Sequence, residues 1–97
     1  MLTSKQRAQL RAIGGKADTI LHVGKGGINE NLIRQADDAL TARELVKGRV
    51  LENSLLTPRE VADVLCEELG CDCVQTIGTR FVLYRPNPKN PKIVLEK

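Results

Sequence analysis

Gly24-Lys25-Gly26-Gly27 is the stretch of this 97-residue sequence where residue type and spacing point to chemistry. Three glycines in four positions let the backbone turn tightly and let a bulky anion approach main-chain N–H groups. Lys25 adds a full positive charge. Where such a turn opens a helix, the first N–H groups have no internal partners and lie at the positive end of the helix dipole, so a phosphate there is stabilised. A glycine-rich turn that merely joins a strand to a helix has the same letters, and the surrounding elements must decide between the two readings.

The spacing excludes two nucleotide-binding loops. G-x-x-x-x-G-K-[ST] is absent, and after Gly24 and Gly26 the third glycine position of G-x-G-x-x-G holds Asn29. G-x-x-G is instead the backbone clamp of KH-type RNA modules. No catalytic constellation competes with it. His22 lies in an apolar run and reads as a packed core or edge histidine, and Glu60, Asp63, Glu67 and Glu68 read as a solvated helix face. Cys66, Cys71 and Cys73 are spaced C-x4-C-x-C with no second pair to complete a tetrahedral site. Their odd number and crowding fit free thiols in a reducing compartment. No enzyme activity, metal, cofactor or small-molecule substrate is expected.

The elements that must position the turn are legible from caps and periodicity. Thr3 and Gln6 form a capping box, and Leu10 and Ile13 recur at helical spacing until Gly14 and Gly15, which predicts a first helix over about Thr3–Ile13. Its exposed side carries Lys5, Arg7 and Arg11 without an acid. Thr19–Val23 reads as a mostly buried strand feeding straight into the glycine turn. Asn29 then caps a second helix to about Ala42, with Ile28 and Ile33 as a hydrophobic staple. Glu44–Leu51 is strand-like, with Lys47 and Arg49 on one face and Val46 and Val50 on the other. The third helix has Thr57 as N-cap, Pro58 at its first position, Glu60 closing a capping box and Gly70 as its stop; Val61, Val64, Leu65 and Leu69 form its apolar side. Two strands follow, Cys73–Ile77 and Arg80–Arg85, joined at Gly78-Thr79, and residues 86–97 are expected as an extended tail.

The order α-β-α-β-α-β-β predicts a single α/β domain over residues 1–97, with a four-stranded mixed sheet and packed helices. Ninety-seven residues leave no room for a multidomain enzyme, and 41% hydrophobic with 28% charged residues is ordinary globular composition. No apolar run approaches a membrane span and the start is polar, so a cytoplasmic protein is expected. The net charge of +3 is segregated: +4 over residues 1–49, −5 over 50–79 and +4 over 80–97. Two basic regions merging into one face would suit a polyanion. Phe81 and Tyr84 are the two aromatics and fall on opposite strand faces, which disfavours a base-stacking platform and makes both core residues.

An ordered set of segments resembles a known family. Leu2-Thr3-x-Lys5-Gln6, Leu10-Arg11, Val23-Gly24-Lys25-Gly26-Gly27-Ile28, Ala39-Leu40-x-x-Arg43-Glu44-Leu45-Val46-Lys47, Val74-Gln75-x-Ile77-Gly78 and Val82-Leu83-Tyr84-Arg85 are similar to the CRM domain (chloroplast RNA splicing and ribosome maturation) in its stand-alone bacterial YhbY form. The resemblance implies a fold like the C-terminal domain of a bacterial translation initiation factor. It also implies RNA binding through the G-x-x-G loop and association with ribosomal RNA in precursors of the large subunit. Gly24, Lys25, Gly26 and Gly27 match its RNA-binding loop, and Lys5, Arg11, Lys47 and Arg85 match basic positions of its pattern.

Two stretches depart from that pattern. Gly15-Lys16-Ala17-Asp18-Thr19 stands where members carry a His-Leu-x-Pro-like segment, and Gly48 stands where a β-branched residue is common and is expected to loosen the second strand. The reading is a monomeric RNA-binding protein that assists ribosome assembly. The alternative is a protein-interaction adaptor that docks a basic partner on the acidic third helix.

Overall fold

The computed structural model describes residues 2–87 and residue 93. Thr3 caps helix α1, Ser4–Lys16: its hydroxyl accepts from Gln6 N–H at 3.1 Å, and Gln6 Oε1 accepts from Thr3 N–H at 3.1 Å. The helix does not stop at Gly14-Gly15 as the sequence suggests. Gly14 is buried against the sheet, where a Cβ would lie 3.1 Å from Val82 Cγ1, so the glycine lets the helix approach the strands closely. That packing offsets the roughly 1 kcal/mol per residue that glycine costs inside a helix.

Strand β1 (Thr19–Val23), helix α2 (Glu30–Arg43) and strand β2 (Leu45–Val50) form a β-α-β unit whose strands pair in parallel. Helix α3 (Pro58–Leu69) then leads to β3 (Asp72–Ile77) and β4 (Arg80–Tyr84). All the start and stop signals of α3 are realised, including the reciprocal Thr57–Glu60 box and Gly70 at φ 64°. Of its expected apolar side, Val64 faces outward and Ala62 is buried in its place. The sheet order is β1-β2-β4-β3. The hairpin at Gly78, φ 58°, folds β4 back between β2 and β3, antiparallel to both, so the second β-α-β crossover skips a strand.

Helices cover both sheet faces. Leu10 of α1 packs with Leu45, Val74, Val82 and Tyr84 on one side. On the other, Leu32, Ala36 and Leu40 of α2 and Val61, Ala62 and Leu65 of α3 meet Leu21, Val23, Val46, Phe81 and Leu83. Phe81 and Tyr84 thus bury on opposite faces, as their spacing requires. Gly48 keeps an unbroken register with β4, while the pairing with β1 shifts by a residue beside it, between Thr19 and Leu21. The Phe81 ring occupies the space a side chain would take there: a Cβ at Gly48 would meet Phe81 Cζ and would lie 2.6 Å from Cε2 and 2.8 Å from Cε1.

Glu44, between α2 and β2, is a fully buried carboxylate at φ 65°. Its two oxygens accept the N–H groups of Asn87 and Ile93, each at 2.9 Å, and its carbonyl accepts Arg85 N–H at 2.9 Å. The C-terminal segment expected as an extended exit is therefore tied back at Asn87 and Ile93, with Ile93 against the Leu10 side of the core. Residues 88–92 and 94–97 of that segment lie outside the described residues.

Candidate functional site

The glycine turn closes where β1 ends. Gly27 N–H donates to Gly24 O at 3.0 Å, and Leu51 N–H donates to Val23 O at 2.8 Å, which pins the start of the turn to the end of β2. Asn29 then caps α2 by accepting Leu32 N–H at 2.9 Å. The fold itself demands glycine at one of the three positions. Gly27 is left-handed, φ 64°, a conformation only glycine adopts without strain. Gly24 and Gly26 have no positive φ, and a Cβ there would make ordinary contacts, 3.6 Å from Asn53 Oδ1 and Leu51 Cδ1 and 3.5 Å from Asn29 Nδ2 respectively. Bare backbone at these two positions leaves room on the outside of the turn. A depression of about 180 Å³ lies there, lined by His22, Gly24, Gly26, Gly27, Asn29 and Gln35 among others.

Beside the turn, the α1 face of the sheet carries a row of basic side chains. In register, His22 of β1 lies opposite Arg49 of β2, and Arg49 lies opposite Arg80 of β4. Lys47 sits one step back on the same face of β2, while Val46 and Val50 point into the other core. His22 is exposed on the edge strand rather than packed in the core. Among the described residues, Lys25, Lys47, Arg49 and Arg80 have no hydrogen-bond or ion-pair partner. Two arginines directly opposite each other repel, so this arrangement weakens the sheet slightly and calls for an anion. The Lys47-Arg49 face is visible as period-2 spacing. Arg80 joins it only through the antiparallel register of β4, which no local pattern reveals.

The remaining expected positions divide. Lys5 and Arg11 are exposed on α1, Lys5 about 15 Å along the helix from Gly15, which lines a groove with Lys47 and Arg80 of the basic row. Arg7, on the same helix, turns inward and donates to Cys73 O at 2.8 Å. Arg85 does not join the loop at all. Its guanidinium donates to Asp37 Oδ1 at 2.8 Å, Asp37 O at 3.1 Å, Thr41 Oγ1 at 2.8 Å and Leu69 O at 3.1 Å, tying the end of β4 to α2 and α3. Four of its five N–H donors are held by the fold and its charge is paired with Asp37. Arg85→Met is expected to lower unfolding free energy by about 2 kcal/mol, the scale of a charge-assisted network, in chemical denaturation. RNA affinity of the folded protein should stay within about twofold; a larger loss would return Arg85 to the binding surface.

The three cysteines gather at the end of α3. Cys71 Sγ lies 3.5 Å from Cys66 Sγ and 3.7 Å from Leu65 O. The contact with Cys71 pushes the Cys66 thiol up, and burial pushes Cys73 up, so both stay protonated. Neither is poised as a nucleophile.

A three-layer α/β module with a glycine turn at a helix N-terminus and a basic strand face beside it is the class of protein defined so far. The chain belongs to the CRS1 / YhbY (CRM) domain family, whose pattern matches residues 2–85. It is 43% identical to the "Probable RNA-binding protein YqeI" of Bacillus subtilis (strain 168), over 98% of this chain and 99% of that one. It is 33% identical to the "Probable RNA-binding protein PA4753" of Pseudomonas aeruginosa, over 94% and 88%. The solution structure of the "hypothetical protein SAV1595 from Staphylococcus aureus, a putative RNA binding protein" superposes with a TM-score of 0.82 at 45% identity, covering 99% of this chain and all of that one.

Proposed function

We propose that this protein binds structured RNA by gripping its phosphates, without catalysis, and that the RNA is ribosomal RNA in precursors of the large subunit, bound by a protein monomer. The observation that carries the reading is the strand row in which Arg49 lies opposite both His22 and Arg80, next to the Gly24–Gly27 turn that follows β1 and leads to the N-terminus of α2; Lys25, Lys47, Arg49 and Arg80 are four cations without partners among the described residues. Backbone N–H groups and unpaired cations recognise phosphate, and the scarcity of aromatics leaves little to stack a run of bases. Lys5 and Arg11 would extend the same contact along α1, and Arg85 is left out. The family and the names of its relatives support RNA as the partner; the ribosomal assignment comes from the family resemblance.

Salt tests the phosphate grip. With roughly three to six phosphates contacted, the logarithm of the binding constant for a structured RNA should fall with the logarithm of salt concentration at a slope of about −2 to −5. Titrations of a labelled RNA hairpin at several ionic strengths measure it, and a flat line would sink the grip. Crosslinking in cells followed by sequencing of the bound RNA is expected to recover large-subunit ribosomal RNA; recovery of unrelated transcripts alone would remove that assignment.

A further inference from the structure

Next to the basic row, the last turn of α1 and the sheet enclose a groove of about 260 Å³, lined by Gly14, Gly15, Lys47, Gln75, Ile77, Arg80 and Val82. One wall is bare helix backbone, because two glycines stand there. The floor is apolar: Val82 is buried, and Ile77, 62% exposed, stands open at the groove. The rim holds Lys47, Gln75 and Arg80, none with a hydrogen-bond or ion-pair partner among the described residues, and no acid lines the groove.

We infer that this groove receives one unpaired nucleotide of the bound RNA, an inference that rests on the RNA-binding reading. The volume is just under the roughly 300 Å³ at which sites for drug-sized ligands begin, the size class of a single base. Ile77 and Val82 offer apolar contact to the faces of a base. The Gln75 amide carries both a donor and an acceptor for its edge. Lys47 and Arg80 flank the position of its phosphates, and Arg49 continues the positive row toward the glycine turn. A base inside a duplex cannot reach such a groove, whereas one splayed from a bulge or loop can. The groove therefore gives the protein a preference among structured RNAs that the phosphate grip alone cannot supply.

The test compares two labelled RNA stems, one fully paired and one with a single unpaired nucleotide, at fixed physiological salt. The unaltered protein should bind the bulged stem about fivefold more tightly. Ile77→Ser removes the apolar wall, and Gly15→Leu extends a side chain from a position where a Cβ meets nothing within 4 Å. Gly15→Leu should raise the melting temperature, since leucine replaces glycine inside a helix. Both variants should bind the two stems alike, at the affinity of the paired stem. Lys25→Ala should weaken both stems by one factor and keep their ratio. Equal affinity of the unaltered protein for the two stems, or a ratio that survives both Ile77→Ser and Gly15→Leu, overturns the nucleotide groove and leaves the phosphate grip standing. Failure to bind either stem overturns both. An acidic peptide that binds and is lost in Ile77→Ser, with no preference between stems, would assign the groove to a protein partner.

Discussion

Gly48→Val is expected to destabilise the protein by about 3 kcal/mol, although valine is among the best strand formers and glycine among the worst. The reason lies across the sheet. Phe81 pairs with Gly48 in register, and the far end of its ring lies over the glycine, so that a Cβ would fall 2.6–2.8 Å from Cε2 and Cε1 and closer to Cζ. The ring is fully buried among residues of α2, α3 and the inner strands. Overpacking costs roughly 1–3 kcal/mol and occasionally more, and with three ring carbons inside 3 Å the upper end applies, above the roughly 1 kcal/mol span of strand propensities. Denaturant midpoints of the two proteins measure the difference. A midpoint that rises or stays put would mean that the ring does not need the glycine. Pairing Gly48→Val with Phe81→Leu should recover part of the loss, because the two changes meet at one contact and their effects will not add.

That contact also explains what a linear reading of the sequence misses. α3 is legible because Thr57, Pro58, Glu60 and Gly70 act within one turn of each helix end, and the hairpin at Gly78 is equally local. The end of α1 is not, because Gly14 is kept by a sheet residue, Val82, far along the chain. Gly48 looks like a weakness for the same reason. At the candidate site, the glycine turn and the Lys47-Arg49 face follow from spacing, while Arg80 and His22 enter only through strand register. Arg85 fits a pattern of basic positions, yet its partners lie 48, 16 and 44 residues away, and only the folded chain shows its guanidinium bound to Asp37, Leu69 and Thr41. Local signals thus reveal the scaffold and the turn, and long-range pairing decides which cations stand free.

Arg49→Glu should separate binding from folding most sharply, because the two effects are expected to have opposite signs. In the sheet, Arg49 and Arg80 face each other as like charges. A glutamate at position 49 turns that repulsion into an attraction, and cross-strand pairs of this kind are worth up to about 1 kcal/mol, reduced here by solvent exposure. The melting temperature should hold or rise slightly. RNA affinity should fall about thirty- to a hundredfold, roughly 2–3 kcal/mol, since one phosphate contact is lost, a negative charge is added beside the backbone and Arg80 is drawn toward the new carboxylate. Arg49→Gln should fall between the two proteins, and Arg49→Lys should retain most of the binding, because a phosphate contact needs a positive charge more than a guanidinium fork. Melting and RNA titration on the same samples provide the comparison. An unchanged affinity in Arg49→Glu would remove the strand row from the interface and leave Lys25 and the turn alone. A replacement that spares the fold and weakens binding marks a residue kept for its ligand, and the Arg49–Arg80 row is the place in this protein where that outcome is most strongly expected.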